Sequence, residues 1–269
     1  MSPMLSGLTT LIPHSGFEAP TIDEFFPPVI AFAGTPFELN RIVLVRLVML
    51  TLFLLVSFLY VRRAKLVPGM AQSSMEYLLD FCRESISEAI MGKEYARRYN
   101  GIITAIFFTV LFMNIAGVIP GLNIAGSSVA GVPLILALFS WVLFVAAGIG
   151  AQGFGGFMKS SLFPPNVPKV LYVLLTPIEF ISTFIIRPFT LFVRLLANMV
   201  AGHILLALTI LATNYFLLWA SGGMKIISLV TFIAAIACTA FEILVAFLQA
   251  YIFAILSSVY VNLSVHPAH

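Results

Sequence analysis

The sequence has 269 residues, of which 61% are hydrophobic and only 9% are charged, and its formal net charge is +3. Soluble domains carry about a quarter charged residues, so this composition excludes an ordinary soluble protein, and so small a net charge argues against nucleic acid as a partner. The long uncharged runs Ile102–Leu122 and Ile226–Phe241 suit membrane-spanning helices rather than short alternating barrel strands. The sequence therefore predicts an all-α polytopic membrane protein.

The N-terminal part of the chain predicts a polar segment followed by the first crossing. Residues 1–40 contain several acidic residues but no Lys or Arg, which predicts a polar lead-in outside the bilayer. The first membrane-spanning helix is predicted over residues 41–61, because this apolar run ends at Arg62, Arg63 and Lys65. Basic residues mark the cytoplasmic end of a span, so we expect the N-terminus on the outer side.

The next part of the chain predicts one helix on the membrane and two that cross it. Residues 72–98 alternate charged and apolar side chains, which predicts an amphipathic helix along the cytoplasmic interface. An apolar helix over residues 101–120 then crosses outward, and another over residues 132–157 returns. The connector from Lys159 to Lys169 is rich in proline, as expected for a cytoplasmic loop.

Two long apolar segments, residues 170–219 and 225–265, complete a single helical membrane domain predicted over residues 41–269. As a helix the second would extend roughly 60 Å, about twice the ~30 Å hydrocarbon core. Both helices are therefore expected to tilt strongly, although a break near Pro188 is equally compatible with the sequence. The Ser/Gly turn at residues 221–223 predicts an antiparallel hairpin, and about five crossings in all leave the C-terminus in the cytoplasm.

Polar side chains interrupt the two long segments at matched positions. Arg194 cannot readily lose its proton, and its insertion at membrane depth costs at least ~2.5–3.5 kcal/mol, so a compensating charge is required. In an antiparallel hairpin, two residues that face each other at the same depth have residue numbers whose sum is the same for every such pair. Arg194 with Gln249, and His203 with Glu242, give nearly the same total, which predicts two neighbouring pairs. A satisfied core pair and a simple helix–helix contact are the alternative interpretations.

Helical phase predicts two separate polar environments rather than one binding pocket. Asn198 follows Arg194 by four residues and shares its face, whereas His203 follows by nine and points about 180° away at ~100° per residue. Asn114, in the apolar second crossing, is either a packing residue or part of one environment. Glu179, beside the cytoplasmic connector, is a candidate proton-transfer group.

Four stretches of the chain carry a family resemblance: "LFMNIAGVIPG", "TPIEFIS", "RPFTLFVRLLANMVAGH" and "FEILVAFLQAYIFAILSSVY". Together they resemble subunit a of F-type ATP synthases, the stator half of a membrane proton channel. The resemblance implies that Arg194 faces the essential carboxylate of a rotating ring of subunit c, with Asn198 beside the arginine. It also implies two aqueous half-channels that reach the ring from opposite sides and do not meet.

The resemblance assigns further residues to these half-channels. The outer half-channel matches Asn114, His203, Glu242 and Gln249, and the inner one matches Glu179 and Ser182. Other members have an acid at the position of His203 and a histidine at the position of Glu242. This reciprocal arrangement supports the two residues being neighbours. The inner acid of other members lies one residue closer to the arginine than Glu179 lies to Arg194, a difference that a helical bulge would absorb.

The resemblance also implies partners and a location. The partners are the c-ring, subunit b of the peripheral stalk, the whole ATP synthase complex and the lipid bilayer, with no cofactor, metal or catalytic chemistry on this chain. The resemblance implies transport of protons, and the chain length and the acidic lead-in favour a bacterial plasma membrane over an organellar inner membrane. The alternative is a stand-alone secondary transporter or channel in which Arg194 binds an anionic substrate, which would require internal repeats and a counter-charge within this chain.

Overall fold

The structure is a computed structural model that describes residues 27–31, 34, 38–119, 124–163, 168, 171–218 and 225–266. Its elements are the strands β1 (Val29–Ala31) and β2 (Leu39–Asn40) and the helices α1 (Arg41–Arg63), α2 (Met70–Asp80), α3 (Ala89–Ile115), α4 (Gly131–Leu162), α5 (Tyr172–Ile181), α6 (Arg187–Leu218) and α7 (Lys225–Val265). Two π-helical turns, Phe81–Glu88 and Ser182–Ile186, join α2 to α3 and α5 to α6. Most of the predicted lead-in and the predicted turn at residues 221–223 lie outside the described residues.

Five helical runs in the described residues are long and apolar enough to cross a membrane: Arg41–Arg63, Met70–Ile115, Gly131–Leu162, Tyr172–Leu218 and Lys225–Val265. The first begins where the Asn40 side chain accepts a hydrogen bond from the Val43 backbone N–H, a typical N-cap. It ends at the basic pair Arg62 and Arg63. The prediction of an all-α membrane protein with about five spans is therefore confirmed.

Two of these runs bend at glycines. Gly92 in α3 has φ 71° and Gly153 in α4 has φ 73°, a backbone region that glycine adopts at little cost. The amphipathic segment therefore meets the second crossing at Gly92, earlier than residue 98, where the interfacial helix was predicted to end. The following helix keeps a charged first turn before it becomes apolar, and α4 continues past the predicted residue 157 to Leu162.

The C-terminal half of α7 lies at the centre of the bundle, where it packs against α3, α4 and α6. It buries one line of mostly small residues: Ala246, Ala250, Phe253, Ser257 and Val261. Their spacing of three or four residues keeps them on one face of the helix, and small side chains allow helices to approach closely in membranes. Ser140 of α4 and Ser257 of α7 also share a hydrogen bond of 2.8 Å. Helix α7 is therefore held by α3 and α4, and α6 packs against it.

Apolar side chains cover much of the outer surface of the spans. Leu54 of α1 and Leu244 of α7 are 58% and 60% exposed, and Phe189 of α6 is 59% exposed. Exposed apolar area on this scale would favour association in water, whereas the hydrocarbon core of a bilayer solvates it. The exposed charged side chains of the amphipathic segment are instead suited to the interface.

Candidate functional site

Helices α6 and α7 contact each other at two levels that define their relative direction. Asn198 Nδ2 donates a hydrogen bond to Gln249 Oε1 at 2.9 Å. Further along α6, Gly202 faces Glu242 so closely that a Cβ on the glycine would lie 2.8 Å from Glu242 Oε1. From the first contact to the second, the residue number increases along α6 and decreases along α7. The two helices therefore run antiparallel, as the sequence predicted. The partner of Gln249 is nevertheless Asn198, about one turn beyond the predicted Arg194.

A cavity of about 270 Å³ lies between α3, α6 and α7. Its polar lining residues are Asn114, Asn198, His203 and Glu242. The predicted neighbours His203 and Glu242 therefore share one cavity, to which α3 adds Asn114. Gly202 makes this possible, because its missing side chain leaves room for the Glu242 carboxylate against α6. Gln249 is not a lining residue, but it holds Asn198 at the edge of the cavity.

Three buried polar atoms in or beside this cavity have no hydrogen-bond partner in the described part of the protein. They are Asn114 Nδ2, Glu242 Oε1 and Gln249 Nε2. A buried polar group left without a partner costs ~1–3 kcal/mol, so their concentration in one place favours a hydrated site. The cavity of about 270 Å³ is far larger than the ~10–15 Å³ that one water requires. The arrangement can therefore hold hydrogen-bonded water against a carboxylate.

Arg194 lies outside this cavity, on the exposed surface of α6. Leu191 and Leu195, on either side of it, are 2% and 0% exposed and form the inward face of the helix. The exposed neighbours Phe189 and Val193 are apolar, so the guanidinium stands in surroundings that offer little solvation. Among the described residues Arg194 makes no ion pair. The counter-charge that the sequence requires is therefore not supplied by this part of the chain.

A second cavity, of about 230 Å³, lies near the start of α6. Its polar lining residues are Ser160, Ser161, Glu179, Thr183, Arg187, Ser264 and His266. Glu179 thus faces a polar cavity formed by α4, α5, α6 and the end of α7. The predicted residue Ser182 does not line this cavity, whereas the buried Thr183 beside it does.

The π-helical turn Ser182–Ile186 explains both the position of Glu179 and the exchange of Ser182 for Thr183. A π turn accommodates one more residue than an α-helical turn does. The turn lies between Glu179 and Arg194, where the chain has one residue more than the resemblance leads us to expect. Within this turn Thr183 is buried and lines the cavity, whereas Ser182 does not.

Arg194 stands between the two cavities along α6. Arg187, which lines the second cavity, precedes it by seven residues, or about 10 Å, and Asn198, which lines the first, follows it by four residues, or about 6 Å. Two polar environments therefore exist along this helix, but they are not the two opposite faces that helical phase predicted. Asn198 lines the first cavity together with His203, whereas Arg194, whose face it was predicted to share, lines neither cavity.

Several polar residues near the cavities were not singled out from the sequence. Arg46, Ser127, Thr183 and His266 are the main examples. Arg46 carried one available signal, because it is a cation five residues inside an apolar helix. No group of three or more His, Cys, Asp and Glu side chains in the described residues is placed to hold a metal ion.

Comparisons with known proteins agree over nearly the whole chain. The family model described as "ATP synthase A chain" matches residues 42–262. A protein of Rhodococcus erythropolis named "ATP synthase subunit a" is 48% identical over 96% of this chain and 94% of its own length. Proteins of the same name from Frankia alni and Parafrankia sp. are 34% and 37% identical, over 94% and 96% of this chain and 87% and 88% of their own lengths.

Proposed function

Because this chain belongs to the ATP synthase A chain family, the proton-translocating a subunits in the membrane sector of F-type ATP synthases, we propose that its two cavities are the two half-channels. Arg194 then stands between them and faces a rotating ring of subunit c. The chain is a non-catalytic component of the ATP synthase complex, so ATP is made or hydrolysed on other subunits. The c-ring and subunit b of the peripheral stalk are its proposed direct partners.

The observation that carries this proposal is the placement of Arg194. It is an exposed cation on an apolar surface, without an ion pair in the described residues, and it has a polar cavity on either side along its helix. A permanently charged group in such surroundings requires a partner of opposite charge. A carboxylate on a second protein that moves past the α6 surface meets this requirement. A transporter that binds an anionic substrate would instead have the arginine inside a cavity, and Arg194 lines neither of these two.

The first cavity is the proposed outer half-channel. Water held by Asn114 and Asn198 would bring protons to the Glu242 carboxylate, with His203 as the second proton-exchanging group in the same cavity. Gln249 keeps Asn198 at the inner edge of this cavity through their hydrogen bond. Carboxylates and imidazoles are the side chains that most often accept and donate protons in proteins, which suits this pair to passing protons toward the ring.

The proposed role of Arg194 follows from its charge. A ring carboxylate that arrives from lipid is neutral, because an isolated charge in hydrocarbon is costly. Beside the guanidinium its ionised form becomes favourable, so its proton leaves into one half-channel. It then has to take a proton from the other half-channel before it re-enters lipid. The fixed positive charge also repels protons that would pass directly between the cavities, so proton flow requires rotation. A potential of 100 mV supplies ~2.3 kcal/mol per proton.

The second cavity is the proposed inner half-channel. Glu179 is its acid, and Thr183 supplies a buried hydroxyl in the position that the resemblance assigned to Ser182. Arg187, at the same cavity, also lies over the face of the Tyr260 ring, with Cζ 5.4 Å from the ring centroid. We propose that protons leave the ring through this cavity during ATP synthesis.

The proposed topology follows from the placement of basic residues. The chain is a multi-pass membrane protein of the bacterial type. Arg62, Arg63 and Lys65 end the first span, so the positive-inside rule places that end in the cytoplasm. The N-terminus is then outside a bacterial plasma membrane and the C-terminus is inside. The second cavity, near the C-terminal end of α7, opens on the cytoplasmic side.

The test is Arg194→Ala in the complete ATP synthase. We expect ATP-driven proton pumping into inverted membrane vesicles to be abolished while the chain still co-purifies with an oligomeric c-ring. Arg63→Ala, which removes an exposed cation at the end of α1, is the matched control and should pump normally. Pumping that survives Arg194→Ala would contradict the assigned role, and failure of the unsubstituted chain to co-purify with a c-ring would contradict the proposed partner.

A further inference from the structure

Arg46 is a second permanent charge inside an apolar helix. It lies five residues after the start of α1, about 7 Å along the axis, and is half-buried. Ile42, Val45 and Met49 on the inward face are 2%, 1% and 1% exposed, and they provide the packing of α1 against α3. The guanidinium is therefore not needed to attach the helix, and its presence at this depth requires another explanation.

The partners of Arg46 are backbone carbonyls of the segment that leads into α4. Its Nε donates to Gly126 O at 2.8 Å and its Nη2 to Val129 O at 3.2 Å. Connecting segments usually run over the surface, because buried carbonyls need donors. Residues 124–128 are instead buried, and Ser127 is 0% exposed. Arg46 supplies the donors that allow this segment to lie inside the protein.

The same segment is docked closely against α3 from its other side. Gly126 N donates to Met113 O at 3.0 Å. A Cβ on Gly126 would lie 2.7 Å from Met113 Sδ and 3.4 Å from Arg46 Cγ. The backbone at residue 126 is therefore held in place from two sides, by Arg46 of α1 and by Met113 of α3.

The next residue connects this segment to the first cavity. Ser127 Oγ donates a hydrogen bond to Asn114 Oδ1. Asn114 lines the cavity together with Glu242, and its Nδ2 has no partner among the described residues. Because Ser127 occupies the amide oxygen, it determines which end of the Asn114 amide is left to interact with water in the cavity.

We propose that Arg46 is a positioning residue of the outer half-channel. By holding the carbonyls of Gly126 and Val129 it places Ser127, and through Ser127 it orients the amide of Asn114 beside the proton path. This inference rests on the proposed function of the first cavity. Arg46 itself does not touch the ring or the transferred proton, which distinguishes its role from that of Arg194.

The test measures passive proton flux through the membrane sector, driven by a K⁺ diffusion potential and expressed per assembled complex. Arg46→Gln and Ser127→Ala should each lower the flux by roughly tenfold, since small displacements of positioned groups change rates on this scale. The double variant should be no slower than the slower single variant, and Arg46→Lys should recover part of the flux. Arg41→Gln, at the exposed start of the same helix, is the control and should conduct normally.

A merely structural role for Arg46 predicts a different result. The yield of assembled complex would then fall, and the effects of Arg46→Gln and Ser127→Ala on flux would add. Normal flux in Ser127→Ala would overturn the inference even where Arg46→Gln fails to assemble. Glu242→Ala distinguishes a failure of the positioning role of Arg46 from a failure of the proposed function of the first cavity. If Glu242→Ala blocks conduction and the Arg46 and Ser127 variants do not, only the positioning role is wrong. If Glu242→Ala conducts normally, the proposed function of the cavity fails.

Discussion

The close contact between Gly202 and Glu242 gives the sharpest test of the proposed outer half-channel. A Cβ at position 202 would lie 2.8 Å from Glu242 Oε1, 3.5 Å from Cδ and 3.7 Å from Cγ. Only the carboxylate end is too close, so in Gly202→Ala the carboxylate must move by roughly half an ångström to restore van der Waals contact. The helices themselves need not separate, because the obstacle is the end of a flexible side chain.

This geometry predicts a functional effect without a matching loss of stability. The free energy of unfolding should change by less than ~1 kcal/mol. The higher helix propensity of alanine stabilises the variant by about this amount, which offsets the cost of moving the carboxylate. Proton flux through the membrane sector should fall by roughly tenfold, since a displacement of ~1 Å in a reacting group can cost about a hundredfold. Passive flux in vesicles and the thermal stability of the purified complex are the two measurements.

Two further variants make the test specific. Gly150→Ala is the matched control, because a Cβ at position 150 of α4 meets nothing within 4 Å, and it should conduct normally. Glu242→Asp shortens the carboxylate side chain by one methylene, so combining it with Gly202→Ala should recover flux relative to Gly202→Ala alone. Unchanged flux in Gly202→Ala would refute the assignment of Glu242 to the proton path at this position.

Two other predictions concern the proposed half-channels. Exchanging the pair, with His203→Glu and Glu242→His in one chain, should retain more ATP-driven pumping than either single change, and strictly additive effects would argue against their pairing. At the inner cavity, Thr183→Val should slow proton release to the cytoplasmic side several-fold, whereas Ser182→Ala should have little effect, because the structure places only Thr183 at the cavity. Equal effects of these two variants on the proton flux would contradict the placement of Thr183, and not Ser182, at this cavity.

The spans and the polar residues within them were predictable from local sequence. A span is determined by the length and apolarity of a continuous run, and a charged residue within such a run is recognisable without knowledge of its neighbours in space. Arg194, His203 and Glu242 therefore stand out as unusual residues in the sequence alone. The antiparallel packing of α6 and α7 was also predictable, because a short Ser/Gly-rich link in the sequence between two long apolar segments predicts a hairpin.

The sequence by itself therefore determined the class of fold, the crossings and the identity of the unusual polar residues. The tertiary structure decided which of them meet. Gln249 bonds Asn198 instead of lying level with Arg194, Thr183 rather than Ser182 lines the second cavity, and Arg46 bonds the carbonyls of a buried segment. Each of these outcomes depends on how far a helix is rotated about its axis or how closely two backbones approach. A single π turn or one glycine changes both quantities without altering the local pattern of apolar residues.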